Sequence, residues 1–101
     1  MTVISSQGFI NASTVEEKLV ELQNETVITL PVWDADMQDE DGNNLYVLAD
    51  GHHRFEAAKE LGITVEYDVV RRDDGLTGEL LLEAAWMDCD WYYINTGVTV
   101  W

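Results

Sequence analysis

The sequence predicts a small α/β domain of the α+β kind, with a mixed β-sheet and about three helices. The chain has 101 residues, enough for one domain with a modest core, so we assign residues 1–101 to a single domain. Apolar residues alternate in some segments and recur every three or four residues in others, which predicts strands and helices in the same chain. Ten aromatic residues, four of them Trp, help so small a core reach stability.

The elements are expected in the order strand, helix, strand, strand, helix, strand, helix. β-branched and apolar runs predict the strands, at residues 2–4, 26–32, 45–49 and 63–70. Helical spacing of apolar residues predicts the helices, at residues 15–22, 52–61 and from about 78 to 87. Such an order is typical of a mixed α/β domain, in which ligands bind near the ends of strands.

Local signals refine these elements. Ser13 is the expected N-cap of the first helix, because Glu16 three residues later completes a capping box. Pro31 predicts either an edge position for the second strand or the point where the chain leaves the sheet. The residues Asp41-Gly42-Asn43 predict the turn of a hairpin between the second and third strands. Gly62 is the expected C-cap of the second helix.

The last fourteen residues, 88–101, contain four large aromatic side chains. They either fold back as a terminal strand or hairpin, or expose an aromatic patch to a partner. We favour folding back.

The most informative segment is the turn between the third strand and the second helix. A glycine breaks the strand there, and the helix that follows begins with backbone amides that have no partner within the helix. These amides and the positive end of the helix dipole attract anions, of which phosphate is the most usual. Two imidazoles and a guanidinium stand beside them, in the sequence Asp50-Gly51-His52-His53-Arg54.

This turn, followed by an Ala-rich helix that ends in Leu-Gly, resembles the signature box of the ParB/sulfiredoxin superfamily. It is most similar to the box of the ParB-like free-serine kinases, and the similarity extends from about residue 9 to residue 70. The resemblance implies a ParB/sulfiredoxin-like fold. It also implies that the phosphates of a nucleotide bind to Gly51, His52, His53 and Arg54, while Asp50 lies beside the transferred group or its acceptor hydroxyl. The implied ligands are ATP, ADP or CTP with Mg²⁺, and Asp50 is the expected protein ligand of that ion. The implied activity is phosphoryl transfer or triphosphate hydrolysis, with binding without turnover as the alternative.

The sequence also departs from these families. His52 occupies the place of the reactive cysteine of sulfiredoxins, and the single cysteine, Cys89, lies far downstream, which excludes sulfiredoxin chemistry. We expect no helix-turn-helix domain of the kind that partition ParB proteins carry. The glutamate that acts as base in the serine kinases has no counterpart that we can match here.

The second strong signal is charge, since 20 acidic residues stand against five basic ones and give a net charge of −15. So acidic a domain disfavours direct binding of DNA or RNA, which depends on Lys and Arg. It favours a basic protein partner, as in an immunity protein or a phage or plasmid inhibitor that blocks a nucleic-acid enzyme. The expected contact residues are the acids of the most acidic segment, Asp34, Asp36, Asp39, Glu40 and Asp41. Alternatively, these acids form a solvated loop whose charge only maintains solubility.

Other classes of site and location are disfavoured. An EF-hand register that places Gly42 at loop position 6 puts Met37 and Leu48 at ligand positions, so we predict no metal site in this segment. One cysteine permits no internal disulfide. The chain shows neither an apolar run of membrane-spanning length nor a secretory signal, and we expect a cytoplasmic protein without a membrane segment.

Overall fold

Five strands form one mixed sheet in the computed structural model, which describes residues 1–101. The expected order of elements is confirmed, and the C-terminal tail adds a fifth strand. The elements are β1 (Thr2–Ser5), α1 (Ala12–Leu22), β2 (Val27–Gln38), β3 (Asn44–Leu48), α2 (His52–Leu61), β4 (Thr64–Val69), α3 (Gly78–Ala85) and β5 (Tyr92–Tyr93). Their order across the sheet is β4-β2-β3-β1-β5. No helix is long and apolar enough to cross a membrane.

The length of β2 determines where β3 ends within the sheet. The first half of β2 pairs with β4 in parallel, and its second half pairs with β3 antiparallel, beginning where Val32 lies opposite Leu48. The chain that leaves β3 therefore emerges beside the middle of β2, where the amide of Ala49 donates to the carbonyl of Pro31 at 3.0 Å. β1 runs parallel to β3, so the C-terminal ends of both strands lie on the same side of the sheet. The turn that begins α2 lies on this side.

Alternation along β2 divides the core between the two faces of the sheet. Ile28, Leu30 and Val32 pack with α1 and α2 in one apolar cluster. Ala35 belongs to a second cluster with Leu81 and other residues of α3, and Trp33 packs against it. Because side chains of a strand point alternately to opposite faces, a single strand supplies both clusters.

Two local expectations are wrong. Pro31 lies in an interior strand, neither at an edge nor at a strand end. Its carbonyl faces Ala49, which follows the last residue of β3, so the missing amide of Pro31 lies just beyond the end of the β3 ladder. The N-cap of α1 is Asn11 rather than Ser13: its Oδ1 accepts from the amide of Thr14 at 3.1 Å, and the helix begins at Ala12, three residues before the predicted start.

The acidic segment is only partly a loop. β2 continues to Gln38, so Asp34 and Asp36 lie on a strand, and only residues 39–43 form the turn. The register with β3 shifts between Asp34 and Gln38, where Asp36 adopts a φ of 53°. Pairing with β3 thus extends β2 beyond its β-branched residues.

The aromatic tail folds back onto the domain, as favoured. β5 pairs antiparallel with β1, and Tyr92 forms a further bridge with Thr99. Ile94 is buried in the same cluster as α1 and α2.

Candidate functional site

A cavity of about 360 Å³ lies at the connection between β3 and α2. All five residues of the sequence-predicted turn line it. The segment after β1, the middle of β2 and helix α1 complete the lining, which consists of Gln7, Lys18, Pro31, Asp50, Gly51, His52, His53 and Arg54.

Three backbone amides at the start of α2 have no partner. The amides of His52, His53 and Arg54 donate no hydrogen bond within the chain, whereas the amide of Phe55 donates to the carbonyl of Gly51 at 2.8 Å and begins the helical ladder. Free donors of this kind mark the positive end of a helix. The cavity therefore borders a set of donors suited to an anion.

Gly51 permits this geometry. It adopts a φ of 91°, and a Cβ at this position would come within 2.7 Å of Leu30 Cδ2. Leu30 is completely buried, so it has no room to move aside. The amide of Gly51 donates to Asp50 Oδ1 at 2.7 Å and is not available to a ligand.

The His52 side chain fixes the first turn of α2 to β1. Its Nε2 lies 2.6 Å from Oγ of Ser5, a buried residue whose Oγ also accepts from the amide of Gln7. Burial lowers the pKa of His52, and the nearby Asp50 carboxylate opposes this shift only in part. The lowered pKa favours the neutral imidazole of His52, so this side chain adds little positive charge to the cavity.

His53 plays a similar part on the α1 side. Its Nε2 accepts a hydrogen bond of 3.1 Å from the amide of Asn11, the N-cap of α1. A nitrogen that accepts carries no proton, which fixes the tautomer in this arrangement. Both imidazoles thus join α2 to the segment between β1 and α1.

The lasting positive charge of the cavity comes from Arg54 and Lys18. Arg54 has no carboxylate within 4.0 Å, while Lys18 forms a 3.3 Å ion pair with Glu21. Lys18 and Gln7 were not expected from the sequence. Lys18 lies on the polar side of α1, and no local signal connects it with a turn more than thirty residues downstream.

Asp50 is the only carboxylate that lines the cavity. One of its oxygens accepts from the Gly51 amide, and the residue is exposed. It could accept a proton from a hydroxyl group bound beside the amides of α2. Nowhere in the chain do three or more His, Cys, Asp or Glu side chains come together as metal ligands.

The sequence-predicted acidic surface lies away from this cavity. Asp34, Asp36, Glu40 and Asp41 are exposed, and none forms an ion pair. Asp39 instead holds the turn between β2 and β3. Its carboxylate accepts from the amides of Asp41 and Asn43 at 3.0 and 2.9 Å and from the hydroxyl of Tyr93 at 3.0 Å. The hydrogen bonds from Asn43 are the main reason that the pKa of Asp39 is lowered.

Fold and cavity together define a small α+β domain with a polar, partly cationic cavity at a helix N-terminus. Comparison with protein-family models, with curated proteins and with solved structures finds no match to this chain.

Proposed function

We propose that the domain binds the phosphate groups of a nucleotide in the cavity at the start of α2, as the resemblance to ParB-like proteins implies. The observation that carries the proposal is the set of three unpartnered amides of residues 52–54 at a cavity that Lys18 and Arg54 also line. Backbone donors, a helix dipole and two cationic side chains are the groups that proteins use for phosphate.

The distribution of charge supports the same function. The chain has only five Lys and Arg residues, and two of them line this one cavity. The overall charge of −15 opposes a triphosphate, but salt screens distant charges over about 8 Å under physiological conditions. The groups that touch the ligand then outweigh the remote acids. Bound Mg²⁺ would neutralise phosphate charge, and Asp50 is the only carboxylate of the cavity lining that could hold it.

If the site transfers a phosphoryl group, Asp50 is the residue we assign as base. Its exposed carboxylate adjoins the free amides, so a hydroxyl beside a bound phosphate lies within its reach. In this arrangement the amides and Arg54 hold the phosphate, and Asp50 takes the proton of the acceptor.

Calorimetric titration with ATP, ADP and CTP in the presence of Mg²⁺ tests the binding. We expect Arg54→Ala to weaken binding by about 10- to 100-fold, the usual effect of losing a hydrogen bond to a charged group. Lys59→Ala is the matched control, because Lys59 is an exposed cation on the same helix outside the cavity. Absence of binding by all three nucleotides contradicts the proposal.

The exposed acids support a second candidate, binding of a basic protein. Four carboxylates on β2 and the following turn are exposed without an ion pair and are free to contact cationic groups, namely Asp34, Asp36, Glu40 and Asp41. Changing these four to Asn or Gln should abolish salt-sensitive capture of a basic nucleic-acid enzyme. The same number of charges removed at four other exposed acids without an ion pair should leave capture intact, namely Glu16, Glu17, Glu25 and Glu60. Equal losses in both variants would show only a general effect of charge.

A further inference from the structure

A second cavity, of about 400 Å³, lies between the end of β4 and the segment that precedes α3. It shares no residue with the cavity at the start of α2, and much of its wall is apolar. The apolar side chains come from β2, from the end of β4 and from the segment before α3, and they are Trp33, Val69, Val70 and Leu76. Ligand cavities in proteins commonly have this size and such walls, with a few polar groups that orient the ligand.

Two adjacent arginines supply the positive charge of the second cavity. On a regular strand the side chains of Arg71 and Arg72 would point to opposite faces, but β4 ends at Val69 and both residues line the cavity. Arg71 is exposed and has no carboxylate within 4.0 Å. Asp34 is the only carboxylate of the lining, and its Oδ1 already accepts from the amide of Asp36 at 2.9 Å.

The guanidinium of Arg72 is held in place but is only partly paired. It lies over the indole of Trp33, 4.5 Å from the ring centroid, and its Nε donates to Oδ1 and Oδ2 of Asp74 at 2.9 and 2.8 Å. The two terminal nitrogens, Nη1 and Nη2, donate to no group of the chain. They are also accessible, because no buried side-chain nitrogen lacks a hydrogen-bond partner. A side chain that is only 20% exposed thus presents two free donor nitrogens in a fixed plane.

We propose that the second cavity binds a small carboxylic acid with an apolar body. A carboxylate matches the planar fork of a guanidinium, which can donate through both terminal nitrogens at once. The apolar walls cover the hydrocarbon part of the ligand and remove it from water. A single negative charge is favoured over the two charges of a phosphate ester, because Asp34 and the net charge of −15 repel each additional one. The proposal goes beyond the phosphate site and does not depend on it.

Titration of the isotope-labelled protein with isocaproate, followed by NMR, tests the proposal. We expect the indole signal of Trp33 and the amide signals of Val70, Arg72 and Leu76 to shift and to saturate. Acetate lacks the apolar body, and isohexanol lacks the charge. Each should bind at least about tenfold more weakly, since burial of several methylene groups and a hydrogen bond between charged groups both contribute that much or more.

Two arginine variants assign the binding to this cavity. Arg72→Gln should weaken isocaproate by about 10- to 100-fold, and circular dichroism verifies that the variant is folded. Arg71→Gln, which leaves the contact between Arg72 and Trp33 intact, should weaken it by about two- to fivefold, as the loss of an exposed ion pair does. Lys59→Gln is the matched control, because it removes an exposed cation outside the cavity, and it should bind as the wild type does.

Three outcomes overturn the proposal while the proposed function stands. The first is that isocaproate shifts no signal of the cavity. The second is that both arginine variants bind isocaproate as tightly as the wild type. The third is tighter binding of isohexyl phosphate than of isocaproate, which would overturn the assignment to a carboxylate.

Discussion

Gly51 is the residue on which the turn before α2 depends. An alanine there would adopt a left-handed backbone conformation and place its Cβ within 2.7 Å of a side-chain atom of the buried Leu30. We expect Gly51→Ala to lower the free energy of unfolding by about 2–5 kcal/mol, since left-handed strain costs about 1–2 kcal/mol and overpacking about 1–3 kcal/mol. Urea denaturation measures the difference.

Gly62→Ala is the control for that measurement. Gly62 has a φ of 71°, but its Cβ would meet no atom within 4 Å, so only the strain of about 1–2 kcal/mol remains. Equal losses in the two variants would contradict the role assigned to Leu30.

His52 should make the stability of the domain depend on pH. Its folded-state pKa is lowered, chiefly by burial, so the unfolded chain takes up the proton first as the pH falls. The resulting stability is present above the unfolded pKa of about 6.5 and is lost as the pH falls through the lower folded-state value. We expect the Tm of the wild type to fall more steeply than that of His52→Gln between about pH 7.5 and pH 5.

Carboxylates titrate in both proteins, so the difference between the two curves is the quantity that matters. Curves of the same slope would show that the ring of His52 does not carry the dependence.

At the scale of residues, the sequence predicts the backbone conformation of the site but not the side chains from distant parts of the chain that contact it. Gly51 and the free amides follow from a local strand–helix pattern. The bond between His52 and Ser5 joins residues 47 positions apart, and the place of Lys18 depends on how α1 packs on α2. Contacts of that kind arise only from the tertiary fold.

At the scale of elements, the start of α1 distinguishes two possible caps. The side chain of Asn11 accepts from the amide of Thr14, whereas Ser13 lies inside the helix. We therefore expect Asn11→Ala to lower the free energy of unfolding by about 1 kcal/mol. Ser13→Ala should change it by less than about 0.5 kcal/mol, as an ordinary exposed substitution does. Thermal or urea denaturation measures both, and a larger loss for Ser13→Ala would restore the capping box expected from the sequence.

The helices and strands were largely predictable because their apolar periods are clear. Two features of β2 were predicted wrongly, its end and the position of Pro31, and both depend on the neighbouring strand β3. β2 extends through Asp34 and Asp36 because β3 pairs with it, although acidic residues are poor strand formers. Pro31 fits an interior strand because β3 ends just where the missing amide would need a partner. Neither fact can be read from the residues of β2 alone.

For the whole molecule, the order β4-β2-β3-β1-β5 gives the tail a structural role. Aromatic residues near the C-terminus indicated that the tail would pack, but its partner, β1, lies at the other end of the chain. The hydroxyl of Tyr92 reaches the carbonyl of Gln7, which lines the cavity. The C-terminal hairpin thereby supports the segment that borders the site.

Charge acts across the entire domain. The principal dimensions are 37 × 28 × 23 Å, and the Debye length is about 30 Å at 0.01 M salt, so at that concentration the 15 excess negative charges repel one another throughout the molecule. At about 0.3 M salt the screening length is well under 10 Å, and most of this repulsion disappears. We expect the Tm to rise by roughly 4 °C or more between these concentrations of NaCl, which corresponds to about 1 kcal/mol for a domain of this size.

The variant with Asp34, Asp36, Glu40 and Asp41 changed to Asn or Gln serves as the control, because it removes exposed charges that form no ion pair. Its Tm in 0.01 M salt should exceed that of the wild type, and its rise with added NaCl should be smaller. Equal responses of the two proteins to salt would mean that these four carboxylates contribute little to the repulsion. If the variant has the higher Tm, the four carboxylates cost the domain stability, and such a cost fits the second candidate function, in which they contact a basic partner.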